Sequence, residues 1–216
     1  MNPLALLRAF DDAVMPVRCV FCGTRVRAGE GIVCSDCFED LPWRYSAPAP
    51  VRSPLEHEIA PLAYEFPVDA AIKLLKFRRR LYYGPALAQL ACAALDDLPA
   101  GIDAVLPVPL HWRRQWLRGF NQAHEIAKPV AKWLGVPLIR DVRRRRATAP
   151  QSGLSARGRT DNLRNAFDAR RGIARRHVLI IDDVMTTGTT VRQLGRAVLA
   201  AGAASVSALA VARAGP

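Results

Sequence analysis

The segment His177 to Val191, HVLIIDDVMTTGTTV, leaves the least freedom to the rest of the chain. Val178 to Ile181 is an unbroken apolar run, the pattern of a strand covered on both faces of a parallel sheet, and it predicts a central strand. Two carboxylates, Asp182 and Asp183, close that run. A turn of Thr and Gly follows, after which Val191, Leu194 and Val198 recur on one face of a helix. Strand, small polar loop and helix in that order belong to open α/β sheets, whose ligands bind beyond the carboxyl ends of the strands. A helix amino terminus placed there offers unpaired N–H groups and positive potential to an anion. Thr186, Thr187, Gly188, Thr189 and Thr190 therefore form a candidate phosphate cradle.

The spacing is neither the dinucleotide fingerprint nor a P-loop, which needs Lys directly after its second Gly. Asp182 and Asp183 repel a phosphate, but as acceptor-only groups they suit the vicinal hydroxyls of a ribose, directly or through Mg²⁺. A ribose 5-phosphate satisfies both halves. On these residues, DDVMTTGTT after VLII resembles the ribose-phosphate motif of type I phosphoribosyltransferases, which bind phosphoribosyl pyrophosphate (PRPP).

Near the amino terminus, Cys19 and Cys22 form one C-x₂-C pair and Cys34 and Cys37 a second, with Gly23, Gly29 and Gly31 supplying turns between them. Four thiolates so spaced predict a tetrahedral Zn²⁺ site. A closed Cys₄ shell leaves no position for substrate, so the zinc is expected to be structural, the core of a segment too small to fold by apolar burial. Cys92, on an Ala-rich helix, reads as a buried small hydrophobe. No secretory signal is apparent, because Arg8, Asp11 and Asp12 interrupt the apolar start. The longest uncharged stretch, Ala197 to Ala212, is short of the ~20 apolar residues of a membrane helix. The expectation is a cytoplasmic protein with no membrane span, where cysteines stay reduced.

In order along the chain, residues 3–14 predict a short amphipathic helix ended by Pro16, and the Pro-rich stretch after Pro42 predicts a linker. The expected organisation is a helix and zinc-knuckle module over residues 1–45, a linker over 46–58 and an α/β domain over 59–216. Within the domain the patterns predict an edge strand at 59–66 and helices at 68–77 and about 85–97. A strand follows at 103–110, ending where Pro107 and Pro109 withhold ladder N–H groups, then a helix at 122–134 and a last strand at 205–213.

Residues 141–176 hold eleven Arg against three Asp, a net of +8. With Pro150, Gly153 and Gly158, their first half reads as a mobile loop. The whole chain carries a formal net charge of +12, and only four of its 31 basic residues are Lys. Such an Arg-weighted excess suits phosphates and nucleic acid, although genome composition produces the same bias.

The segment PVPLHWRRQWLRGFNQA, the Cys₄ knuckle before it, and APQSGLSARGRTDNLRNAF and DDVMTTGTT after it together resemble the ComF family over nearly the whole chain. Those are competence-associated, phosphoribosyltransferase-like proteins. The resemblance implies a type I phosphoribosyltransferase-like fold, a mostly parallel open sheet flanked by helices. It further implies binding of Mg²⁺ and PRPP and handling of incoming single-stranded DNA during natural transformation; a separate reading is a zinc adaptor that docks on a DNA-uptake helicase or a recombination-mediator protein, with the PRPP site as a sensor. Carried onto this sequence, Asp182 and Asp183 take the ribose hydroxyls and 186–190 the 5-phosphate. Pro107, Val108, Pro109, Leu110 and His111 fall at the pyrophosphate loop, with Arg113 or Arg114 countering the leaving group's charge. Arg143, Arg144, Arg145, Arg146, Arg157 and Arg159 belong to a flexible loop that closes over the site or meets nucleic acid. One departure stands out: Thr186 occupies a position where purine-salvage relatives often carry Asp, and a Thr hydroxyl is a poor general base. Binding of PRPP is thereby better supported than catalysis on a purine. The alternative is a metabolic phosphoribosyltransferase, similar to the amidophosphoribosyltransferases, with an unspecified nitrogenous acceptor. His111 and His124 are the candidate acid–base groups, and Trp112, Trp116, Phe120, Phe77, Tyr82 and Tyr83 are aromatics near basic residues of the kind that stack single strands.

Overall fold

The computed structural model describes residues 16–27, 29–44, 53–110, 112–140, 142–144, 167–169 and 173–215, without the side chains of 112–114, 143–144 and 168. The helix expected at 3–14, His111, and Arg145, Arg146, Arg157 and Arg159 lie outside them. The described elements are α1 (Ser35–Glu39), β1 (Glu58–Ile59), β2 (Leu62–Ala63), α2 (Val68–Arg78), α3 (Tyr83–Cys92), β3 (Ala104–Pro107), α4 (Trp112–Arg118), α5 (Gln122–Leu134), β4 (Val142–Arg144), β5 (Phe167–Ala169), β6 (His177–Met185), α6 (Thr189–Ala200) and β7 (Ser205–Arg213).

Five strands form one parallel sheet in the order β1–β7–β6–β3, with β2 also paired to β7. The run around Ile180 is thus central, as its lack of polar residues requires: Val178 to Ile181 are fully buried between neighbours on both sides. On one face, Leu179, Ile181, Leu209 and Val211 pack with Ile72 and Leu75 of α2, Leu87 and Leu90 of α3 and Ile126 and Val130 of α5. On the other, Val178, Ile180, Val206 and Ala208 pack with Val191, Leu194 and Val198 of α6.

The differences from expectation have local causes. The edge strand is two short strands, because Pro61 has no N–H to give the ladder between Ile59 and Leu62. Leu55 to Glu58, inside the expected linker, already run along the sheet: Glu56 N donates to Val206 O at 2.9 Å, and Leu55 fills the space above Gly195, where a Cβ would lie 2.3 Å from its Cδ2. The helix after Tyr82 starts at Tyr83 and stops at Cys92, followed by a 3₁₀ turn at Leu95–Asp97. Arg143 and Arg144, expected in an open loop, lie on β4, antiparallel to β5. Val142 and Phe167 are buried and anchor that pair to the core.

The cysteine segment shares the first core, contributing Cys19, Val26, Val33, Cys34 and Leu41. Gln89 of α3 clasps it from below, accepting from Ile32 N at 2.9 Å and donating to Glu30 O. Trp43 Nε1 donates to Phe38 O at 2.7 Å, and Ala63 N donates to Pro42 O, so the segment leads directly into the sheet edge.

Candidate functional site

β6 ends in the acids, and the loop after it turns at Gly188, whose φ of +73° is a left-handed conformation that favours glycine. Thr186, Thr187 and Thr189 are exposed there, Thr190 is half-buried, and α6 begins without a side-chain cap. Of its first N–H groups, that of Thr189 reaches Thr187 Oγ1 only at a long 3.4 Å. Thr187 and Thr189 join hydroxyls at 2.8 Å.

Behind the loop stands a pair that sequence reading missed. Glu58 of β1, 3% exposed, accepts Nε and Nη2 of Arg192 at 2.6 and 2.7 Å, while Nη1 of the same guanidinium donates to Thr187 O at 2.9 Å. Ser53 Oγ donates to the same carboxylate. Burial alone raises Glu58, but the hydrogen bonds from Arg192 and Ser53 outweigh it and hold the group below the usual carboxylate range. A Cβ at Gly188 would sit 2.9 Å from Arg192 Nη2, so this clamp also dictates a glycine.

Asp182 and Asp183 adjoin at the strand end, with Asp183 N donating to Asp182 Oδ1 at 2.9 Å. Desolvation first, and the Asp183 charge second, push Asp182 well above the usual carboxylate range. Asp183 is 3% exposed, and its Oδ2 lies 2.6 Å from Nζ of Lys76 on α2. Lys76 is the third residue that sequence reading missed. It follows Ile72 by four on the buried stripe of α2, where a lysine needs an acidic partner, and that spacing was the available signal.

Beside β6, Val108 N donates to Ile181 O at 2.9 Å, which sets the Pro107–Leu110 turn next to the acids. Asn121 secures that turn with Nδ2 on Val108 O at 3.0 Å while its Oδ1 caps α5 at Ala123 N. A cavity of about 410 Å³ opens there, lined by Pro107, Pro109, Leu110, Asn121, His124 and Arg140 among others. Arg140 Nη2 lies 2.8 Å from His124 Nε2 and can only donate, so that nitrogen accepts. Burial, and then the charge of Arg140, lower the His124 pKa and favour the neutral ring. Arg113 and Arg114 fall on α4.

The C-terminal end of α2 and that of α4 meet on the surface. Arg118 lies 5.3 Å from the Phe77 ring centroid, and Arg79 stacks its guanidinium above Gly119. Phe77, Leu81, Tyr82, Trp116 and Leu117 are all exposed around this junction, while Tyr83 is buried.

At the other end of the chain, the sulfurs of Cys19, Cys22, Cys34 and Cys37 all lie within 4.8 Å of one another. Cys22 and Cys34 are 3.6 Å apart, close to the ~3.8 Å expected between sulfurs in a tetrahedral thiolate site with ~2.3 Å metal–sulfur bonds. The hydroxyl of Thr24 pulls Cys22 down to about 6, whereas burial and the neighbouring sulfurs push Cys37 up. Four sulfurs so crowded ionise together only around a cation, and the cluster fits a metal ion. Cys92 stands apart, half-buried and pushed up by burial to about 11. No helix among the described residues is long and apolar enough to cross a membrane.

A parallel sheet whose central strand runs through paired acids into an open loop and helix defines a phosphoribosyltransferase-type domain. The family model described as phosphoribosyl transferase domain matches residues 121–215. The fold is that of the type I phosphoribosyltransferases, with the four-cysteine cluster added before it. DNA utilization protein YhgH of Salmonella typhimurium strain LT2 is 35% identical over 194 residues, covering 87% of this chain and 80% of that protein. Competence protein F of Haemophilus influenzae is 34% identical over 163 residues, 70% of each chain. Further relatives with the YhgH name, 42% identical over 151 residues, are spanned over 66% of their length. The chain belongs to the ComF family. Among solved structures, the glutamine PRPP amidotransferase of B. subtilis aligns at 20% identity and TM-score 0.46, over 64% of this chain and 30% of that one.

Proposed function

We propose that the protein binds PRPP with Mg²⁺ and handles single-stranded DNA in competence; the names of its relatives, a DNA utilization protein and a competence protein, support the DNA half of this reading. The observation that carries this reading is the convergence, at one end of the sheet, of the Asp182–Asp183 strand end, the open 186–190 loop and the Pro107–Leu110 turn. In this arrangement the loop amides and Thr hydroxyls hold the 5-phosphate and the acids hold ribose hydroxyls or Mg²⁺. The turn receives the pyrophosphate, with Arg113 or Arg114 as counter-charge. When bound, Mg²⁺ neutralises the diphosphate. The cysteine cluster takes a structural Zn²⁺, because four thiolates leave no open coordination position. The cysteine segment acts as a zinc-knuckle module beside a phosphoribosyltransferase-like domain that takes in Leu55 to Glu58 as well as the strands after them.

The exposed Phe77, with Arg118 over its ring, and the exposed Tyr82 and Trp116 support the nucleic-acid half, since single strands are held by stacking and cationic grooves. Calorimetric titration with Mg²⁺ and PRPP tests the site: heat of binding is expected for the wild type and not for Asp182→Asn/Asp183→Asn, and equal binding by both refutes the assignment. Filter binding of an oligonucleotide across a salt series tests the second half, with affinity falling steeply as salt rises.

The runner-up is a metabolic phosphoribosyltransferase, favoured by the cavity at His124 and Arg140 next to the turn. It requires acceptor-dependent pyrophosphate release, and a screen of bases and amines that yields none removes it.

A further inference from the structure

Both oxygens of Asp183 are already engaged. Oδ1 accepts from Val184 N at 2.8 Å, and Oδ2, buried, meets no described partner except the Lys76 ammonium at 2.6 Å. Both side chains are largely hidden, at 17% exposure for Lys76 and 5% for Asp183. A hydroxyl or a hydrated Mg²⁺ that engages this carboxylate competes with the ammonium for it. Stripping a buried lysine of its counter-charge is costly unless a new anion takes over. A sugar bearing phosphates brings that anion with it. The ammonium also has the means to move, being a point charge on a flexible four-carbon stem.

The helix that carries Lys76 continues at once into the surface at the α2–α4 junction. Phe77 is the next residue and is 67% exposed, with Arg118 of α4 5.3 Å from its ring. Arg79 closes α2 in a left-handed turn, φ +53°, and its Nη2 would stand 3.1 Å from a Cβ on Gly119. The last turn of α2 is thus pinned to the sugar-phosphate site on one side and to the end of α4 on the other.

We infer that Lys76 exchanges Asp183 for a phosphate oxygen when the sugar phosphate binds, and that this exchange couples the site to the aromatic–arginine surface. The inference rests on the PRPP reading above and adds a residue and a direction of control to it. By linkage, PRPP must then change affinity for a single strand by the same factor as the strand changes affinity for PRPP, and couplings of this kind are typically about 5- to 150-fold.

The test uses the full chain with its metal. Calorimetry with Mg²⁺ and PRPP is run on wild type, Lys76→Met and Lys76→Gln, and fluorescence anisotropy of a labelled oligo-dT 20-mer is run with and without saturating Mg²⁺ and PRPP. The wild-type oligonucleotide affinity is expected to shift at least about fivefold with PRPP. Both variants are expected to bind PRPP at least about fivefold more weakly and to show no shift at PRPP concentrations that still saturate them. Gln keeps the reach and polarity of the side chain, so it reports if Met disturbs the helix. PRPP binding undiminished in both variants, a shift that survives in them, or no shift in the wild type overturns the inference while leaving the PRPP site standing. No heat from PRPP with the wild type removes the site itself, and the inference with it.

Discussion

Replacing Glu58 by Gln takes one negative charge out of a position that is 3% exposed and holds a two-point contact to Arg192. Gln can still accept one guanidinium N–H, but its amide turns a second N–H against the other. The loss is therefore one charge-assisted hydrogen bond, about 1.5–3 kcal/mol, plus the cost of a guanidinium left partly unpaired. Arg192 is 24% exposed, so water recovers part of that cost, and the sum is set at roughly 2–3 kcal/mol rather than the ~3–5 of a fully buried pair. For a chain of this size that is a fall in Tm of about 5–10 °C. The sign of the pH dependence follows from the depressed carboxyl. Its contribution is complete above the ordinary value of 4.5 and disappears as pH falls through the lower folded value, so the variant loses part of the wild type's acid sensitivity. Because the same guanidinium holds Thr187 O, PRPP affinity should fall about tenfold, or ~1.4 kcal/mol. The assay is a double-mutant cycle of Glu58→Gln with Arg192→Met, read by thermal melts from pH 3 to 7 and by PRPP titration. Strict additivity of the two substitutions refutes the clamp.

Other parts of the molecule give equally direct outcomes. Removing the metal with a chelator, or substituting Cys34→Ser, should abolish a stoichiometry of about one zinc per chain and expose the 16–44 segment to protease, because the sulfur cluster ties together the turns that seat Val26, Val33 and Leu41 on the core. Gln89→Leu, which leaves Ile32 N without its acceptor, should cost about 1–3 kcal/mol of local stability and speed hydrogen exchange at that amide at least about fivefold. Phe77→Ala and Trp116→Ala should each weaken oligo-dT binding by about 1–3 kcal/mol with the salt slope unchanged, since stacking rather than phosphate contact is lost.

What sequence order reveals here depends on how far apart the partners lie. The strand–loop–helix at 177–200 and the C-x₂-C pairs are legible because each is specified by residues within one turn or strand of one another. Glu58 and Arg192 are separated by 134 positions, and nothing near either residue names the other. The strands β4 and β5 escape for a different reason: three residues each, half of them Arg or Asp, they carry too little alternation to register, and the burial of Val142 and Phe167 is what ties them to the core. Lys76 lies between these cases. Its place on the apolar stripe of α2 announces a buried charge, but the acid that answers it is on β6, more than a hundred positions on in the chain.

That division bears on how the site works. The residues that present themselves locally, Asp182, Asp183 and Thr186 to Thr190, are those able to touch a sugar phosphate. The residues whose partners the sequence does not name, Glu58, Arg192 and Lys76, set how those groups are held beforehand. Arg192 spends its charge on Glu58 and so fixes the loop's backbone instead of meeting the phosphate, whereas Lys76 has one replaceable partner. A rigid cradle beside an exchangeable cation lets affinity for the 5-phosphate and response to the rest of the ligand be set independently. In terms of binding equilibria, substitutions at Glu58 should raise the dissociation constant for ribose 5-phosphate and PRPP alike, while those at Lys76 should spare ribose 5-phosphate, which lacks the diphosphate, and penalise PRPP. A Lys76 variant that loses both ligands equally would place its charge in the cradle and contradict this division of labour.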